Sequence, residues 1–312
     1  MTWEWPIAID LWAAGIGGGA YFAAFLMDRF TGGRHKLSMK TAMLIGLPLV
    51  LLGVLVLILD LGEQLRFWHL LVRLQPPSVV FRPGSAMSLG TYTLMAYAVI
   101  GTVMLVLWAL QRRKMSEGAL RSIERVIEAL SWIEMLLAVL IISYTGVLLS
   151  ATNQPLWARG ILLPAVFVAS AVWTGMALIL IVAKTGLDRT VDKVLGGTGE
   201  HTSAEAMQTI SNASAVMGVV VLVVFVGYVV WLASFSTPAA ADALRLMLFG
   251  SLSLLFWVGV VLIGLVIPLV LLFASWRAGR EAVVGAILAS ACLVLLGGFL
   301  LRLVVVLSGQ MA

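Results

Sequence analysis

The chain has 312 residues, 62% of them hydrophobic and 11% charged, with a formal net charge of +5. At a mean hydropathy of +1.08 it carries more apolar surface than a soluble fold of this length can bury, which excludes a soluble globular domain and points to a polytopic membrane protein. A single cysteine, Cys292, in an apolar run, excludes a disulfide framework and an iron–sulfur cluster held by this chain; three histidines, His35, His69 and His201, all in loops or at helix ends, exclude transmembrane haem with paired axial ligands.

Spans of about 20 apolar residues are predicted at 5–27, 41–60, 89–111, 126–149, 161–183, 207–233, 243–273 and 281–306, in a single polytopic domain covering 1–312. The first lacks a basic leader region and a cleavage site, so it is expected to be a retained helix. Trp3 and Trp5 are interfacial aromatics and Pro6 suits a first helical turn. Asp10 then falls about 6 Å below the helix end. Gly15, Gly17, Gly18 and Gly19 follow, and Gly15 with Gly19 makes a small-xxx-small face open to another helix or to a flat ligand. No strand precedes these glycines, so they are not a dinucleotide fingerprint. The plain alternative for Asp10 is an interfacial acid reaching up to water. Intramembrane acids, however, default to function.

The second span contains Pro48 and ends at Asp60, with Glu63 and Arg66 one turn on. These three are either an ion-pair network holding the long loop 61–88 or part of a polar site. In the fourth span Glu134 and Tyr144 are ten residues apart, which is about 15 Å along the axis and about 80° around it. That spacing fits a proton route leading inward from a polar site near Tyr144. Asn212 and Ser214 in the sixth span extend such a route or simply bridge helices. The seventh span is overlong, and Pro268 predicts a kink or tilt. Arg302, well inside the eighth, is expected to neutralise a nearby acid.

Lys and Arg sort unevenly between the two sides. Fourteen of the twenty lie in one set of loops (Arg29, Arg34, Lys36, Lys40; Arg112, Arg113, Lys114, Arg121, Arg125; Lys184, Arg189, Lys193; Arg277, Arg280). By the positive-inside rule that set is cytoplasmic and both termini face outward. The basic balance therefore reflects topology. No compact basic face exists, so no nucleic-acid partner is expected. Loop 61–88, with Arg66, Arg73 and Arg82, then lies outside, and Phe67 and Trp68 are its candidate apolar anchors for a docked protein.

Five ordered motifs, "WEWPIAIDLWAAGIGGGAY", "ILDLGEQLRFWHLL" with "PGSAMSLGTY", "YTGVLLSATNQPLW", "LLPAVFVASA" and "GGFLLRLVVVLSGQ", resemble the NrfD/PsrC family, the membrane subunits of polysulfide reductases and related complexes. The resemblance runs from the first helix to the last. It implies eight helices in two four-helix bundles and a haem-free quinone site (menaquinone or ubiquinone) near the outer face. It further implies an iron–sulfur, ferredoxin-like partner and a catalytic partner, often molybdopterin-containing, on a prokaryotic inner membrane. Substrate chemistry would belong to the partners. By motif alignment the quinone contacts correspond to Ile7, Asp10 and Tyr144; the polysulfide reductase pattern has asparagine and histidine where this chain has Ile7 and Asp10. Asp10 would bond one side of the quinone and Tyr144 the other, with Gly15 and Gly18 giving the ring room. No metal site is expected. A proton-coupled carrier and a purely structural anchor are the other readings of the same polar residues.

Overall fold

The computed structural model describes residues 5–60, 63–74, 77–79, 81–82, 84–111, 116–152, 154–158, 162–235, 237–275 and 280–310. Trp3, Arg112, Arg113, Lys114, Arg159 and Arg277 lie outside them, as do the side chains of Arg73 and Arg280. Eight helices are long and apolar enough to cross a membrane: α1 (Trp5–Phe30), α2 (Lys36–Asp60), α3 (Ala86–Leu110), α4 (Glu117–Ser150), α6 (Leu163–Thr185), α8 (Ala204–Phe235), the seventh span ending in α10 (Ile267–Ser275), and α11 (Arg280–Gln310). Short helices α5 (Pro155–Ala158), α7 (Leu187–Val194) and α9 (Pro238–Phe249) connect them.

Local chemistry sets several ends. Ser85, Ser116 and Thr237 cap α3, α4 and α9, each side chain accepting from the backbone N–H three residues on. Gly186, at φ +74°, ends α6 in the left-handed region that glycine enters freely. The seventh span departs from the single helix expected over 243–273. The chain breaks after Phe249, then winds as a π-helix over Leu255–Val266 that runs into α10. The extra length therefore goes into a separate amphipathic helix and a break. Loop 61–88 is also not all coil: a 3₁₀ turn, Gln64–Leu70, leads into an antiparallel hairpin of β1 (Val72–Leu74) and β2 (Pro77–Val79), with Arg73 opposite Ser78. The Tyr92 hydroxyl donates to Leu71 O (2.9 Å) and ties the hairpin to α3.

The spans pack around α1 and α6, which meet each other extensively. α1 to α4 pack on one another, and so do α6, α8, the seventh span and α11; α1 against α6, α4 against α6 and α1 against α11 join the two sets. α1 and α6 are the innermost, with 78% and 83% of their apolar stretches buried against 22% for α3. At the end carrying the C-terminus of α6, two buried acids of α7 hold the following loop. Asp188 accepts from Thr202 N (2.6 Å) and His201 Nδ1 (2.8 Å). Asp192 accepts from Gly199 N (3.0 Å) and Glu200 N (3.1 Å) and faces Lys40 Nζ of α2 at 3.6 Å.

The glycine cluster explains how α1 sits at the centre. Gly17 faces Gly46 of α2, whose added Cβ would fall 3.1 Å from the Gly17 Cα. Gly18 faces α4, its added Cβ 3.0 Å from Ile142, and Gly19 faces the backbone of Ala171 in α6, where Gly175 in turn meets Gly19 and Ala20. Successive residues turn 100° around a helix, so consecutive glycines serve different neighbours. Filling one overpacks a backbone contact, typically at a cost of about 1–3 kcal/mol. Gly17→Ala is therefore expected to lower the melting temperature of the detergent-purified protein, whereas Gly118→Ala, at an open position of α4, is expected to leave it unchanged or raise it slightly. Equal melting temperatures for Gly17→Ala and wild type would contradict the close α1–α2 contact.

Candidate functional site

Asp10 projects from α1 toward α2 with only 2% of its surface exposed, and its Oδ1 has no hydrogen-bond partner. Gly53 of α2 makes space for it: a Cβ there would lie 2.7 Å from that oxygen. On the α4 side Tyr144 lies within electrostatic reach of the carboxyl. Its ring rests against Gly90 of α3, which has no side chain to obstruct it. Tyr144 is half-buried, and its hydroxyl makes no hydrogen bond among the described residues. Four helices thus bring an acid and a phenol together, both with unused hydrogen-bonding capacity. Ile7, one turn before Asp10, is buried beside them in the core.

Deeper among α1 to α4, Glu134 is fully buried with both carboxyl oxygens unpartnered. Gly101 of α3 faces it, where a Cβ would sit 3.0 Å from Oε1 and 2.7 Å from Met43 Sδ. Tyr21 and Tyr97 both lie within electrostatic range of Glu134. The Tyr97 hydroxyl donates to Gly17 O (3.4 Å), and that of Tyr21 contacts Met104 Sδ at 3.9 Å. Ser131, one turn from Glu134, donates to Ile127 O (2.7 Å). Beyond it Arg29 of α1 bonds Glu128 of α4 at the helix ends, over the rings of Phe25 and Trp132. A discontinuous line of polar groups therefore threads α1 to α4. Two of its members, Tyr21 and Tyr97, are not singled out by the sequence; tyrosines inside apolar spans were the available signal.

Other predicted positions fall elsewhere. Gly15 and Gly18 do not border Asp10. Gly15 is covered by Arg302 and Ala171 and Gly18 by α4, so they serve helix packing and leave no room for a ring. Asp60, Glu63 and Arg66 are exposed, and the only ion pair among them is Arg66–Glu63 at 3.8 Å, a surface contact of small worth. Asn212 is exposed and accepts from Gln208 (2.9 Å), while Ser214 accepts from Trp173 Nε1 (3.1 Å) between α8 and α6, so neither extends the line from Glu134. Arg302 is fully buried but has no ion pair among the described residues; it donates to Leu11 O and Gly298 O instead of neutralising an acid. Phe67 and Arg82 are exposed on the hairpin segment, and the Trp68 ring lies tilted against His69, centroids 3.9 Å apart. Among the described residues no group of three or more His, Cys, Asp or Glu is placed to hold a metal ion.

Apolar helices of spanning length, with uncompensated acids buried between them, define a multi-pass α-helical membrane protein. The chain belongs to the NrfD family: the family model described as "Polysulphide reductase, NrfD" matches residues 1–312. It is similar to Protein NrfD of Escherichia coli (strain K12), 29% identical over 332 residues that cover 100% of this chain and 96% of that protein. It is also similar to the C subunit of polysulfide reductase from Wolinella succinogenes, 27% identical over 327 residues covering 99% of this chain and 95% of that protein. A Protein NrfD homolog of Haemophilus influenzae is 28% identical over 334 residues, covering 100% and 95%.

Proposed function

We propose that this protein is the quinone-binding membrane anchor of a respiratory oxidoreductase, exchanging electrons between membrane quinone and an iron–sulfur partner that serves a catalytic subunit. The observation that carries this reading is a buried carboxyl oxygen of Asp10 left without a partner, with the half-buried phenol of Tyr144 within its electrostatic reach. Buried polar atoms are rarely left unsatisfied unless a ligand or a reaction uses them. Family membership supports the same reading.

The donor set fits a quinone head group. Tyr144 donates to a carbonyl; Asp10 accepts from a hydroxyl when ionised and donates to a carbonyl when protonated. A bound quinone supplies two-electron, two-proton chemistry, and the protein's part is to bind, orient and move protons. Asp10 holds a proton at the head-group end. Glu134, flanked by Tyr97 and Tyr21, holds one midway toward Arg29 and Glu128, so protons enter from the end opposite the slot. The carrier reading has less support: the acids sit on α1 and α4, and no matched pair of broken helices occurs among the described residues.

The partner would dock over the slot. The hairpin segment exposes Leu65, Phe67, Val79 and Phe81 beside Arg82 at the end of α2 and the start of α3, close in sequence to Gly53 and Gly90. Apolar anchors edged by positive charge suit a protein carrying acidic cluster-binding surfaces. On this reading the hairpin faces the outer compartment, and a reporter fused after residue 75 is active only there. Cytoplasmic activity at that fusion would reverse the orientation and the side of docking.

Substitutions along the polar line should fail in different ways. Asp10→Ala and Tyr144→Phe each remove a head-group hydrogen bond, worth about 0.5–1.5 kcal/mol if neutral and more if charged. Both should weaken quinone binding by roughly 2- to 15-fold on that scale. Glu134→Gln keeps shape and strands no partner, so melting temperature and quinone binding should hold while quinone-coupled turnover falls. Titration with a short-chain quinone and turnover in native membranes check all three. Unchanged binding and turnover in both Asp10→Ala and Tyr144→Phe would remove the slot from this position.

A further inference from the structure

Arg302 is the one Lys or Arg side chain that is fully buried among the described residues. It lies where α11 meets α1 and α6. Its Nε donates to Leu11 O across that seam (3.0 Å), and Nη1 donates to Gly298 O one turn back along α11 (2.8 Å). The guanidinium stacks over Phe167 of α6 at 5.3 Å. Nη2 has no partner, and it occupies the space opposite Gly15, where an added Cβ would come within 2.6 Å. A membrane-buried cation with neither a counter-charge nor a full set of acceptors is too costly to keep without a role.

The carbonyl it grips belongs to the residue next to Asp10. The Asp10 side chain faces α2 and Arg302 approaches α1 from the α11 and α6 side, so the two flank one turn of the same helix. We propose that Arg302 is a positioning residue for the Asp10–Tyr144 slot: it clamps the outer turn of α1 through Leu11 O and holds an uncompensated positive charge on the side of α1 away from α2. The clamp fixes the direction in which Asp10 leaves the backbone. The charge favours negative charge arriving in the slot. In a low-permittivity interior such a charge acts more strongly than it would in water. Gly15 then has a specific use: it is the clearance that lets the guanidinium lie flat against α1. This inference rests on the quinone-slot reading and extends it to α11, which otherwise has no part in the site.

The test uses the detergent-purified full-length protein, titrated with a short-chain benzoquinone or naphthoquinone, with melting temperature recorded for each variant. Native membranes supply the quinone-coupled KM and kcat. Arg302→Met, which removes charge and clamp, is expected to weaken binding and lower kcat, each severalfold. Arg302→Lys keeps the charge without the forked donor, so kcat should be largely restored while KM stays raised. Gly15→Ala leaves every charge in place but displaces the guanidinium, and it should reproduce the Lys pattern. Wild-type binding and kcat in Arg302→Met, alongside impaired Asp10→Ala, would overturn this inference while leaving the slot. An Asp10→Ala variant without effect would overturn the slot itself. Equal losses in the Lys and Met variants that follow a fall in melting temperature would show a strut for the fold alone and would also overturn the proposal.

Discussion

The close approach of α1 to three other helices is the constraint on which the rest of the structure depends. Lipid tails are as apolar as leucine, so helices in a bilayer gain nothing from hiding apolar surface and must hold together through packing and hydrogen bonds. Gly17, Gly18 and Gly19 meet α2, α4 and α6 in turn, and Gly46 and Gly175 return the contact from α2 and α6. With α1 so enclosed, the acid it carries is forced into the interior. Asp10 is buried because its helix is buried, and Gly53 and Gly90 mark where neighbouring helices leave room for it and for Tyr144.

Such an interior is an expensive place for charge, and the polar groups found there have one feature in common. Asp10, Glu134 and Arg302 each keep at least one polar atom without a partner. The acids of α7, by contrast, are fully engaged: Asp188 and Asp192 hold a loop through backbone donors outside the spans. Among the described residues, Asp10 and Glu134 keep unpartnered carboxyl oxygens within the spans, and Asp188 and Asp192 do not. The contrast marks where charged groups stand open in the interior, alongside unpartnered polar atoms of His35, Ser38, Thr41, Ser211 and Tyr228. The carboxylates of the proposed route belong to α1 and α4, while α11 contributes a single cation where it meets α1 and α6.

Much of this was legible in the sequence, and the limits have physical causes. The spans, the acid in the first, and the pairing of Glu134 with Tyr144 on one helix all follow from hydropathy and helical periodicity, which are local properties. Whether a glycine faces a ligand or a helix is not local. Gly15 and Gly18 looked like room for a ring, yet Arg302 and Ile142 fill those places. For Asp60, Glu63 and Arg66 the sequence left an ion-pair network or a polar site open; in the fold all three are exposed and Arg66 pairs with Glu63. The break after Phe249 was hidden because the residues on both sides of it are equally apolar. Tyr97 and Tyr21 became meaningful only when folding brought them within electrostatic range of Glu134.

The central claim is that a quinone head group binds between α1 and α4, at Asp10 and Tyr144. A photoreactive quinone cross-linked to the protein in native membranes, with the labelled peptides identified by mass spectrometry, tests it most directly. The account predicts labelling on the α1 segment around Asp10 or the α4 segment around Tyr144, suppressed by excess unlabelled quinone. Competable labelling confined to α8, the seventh span or the distal face of α11 would contradict it.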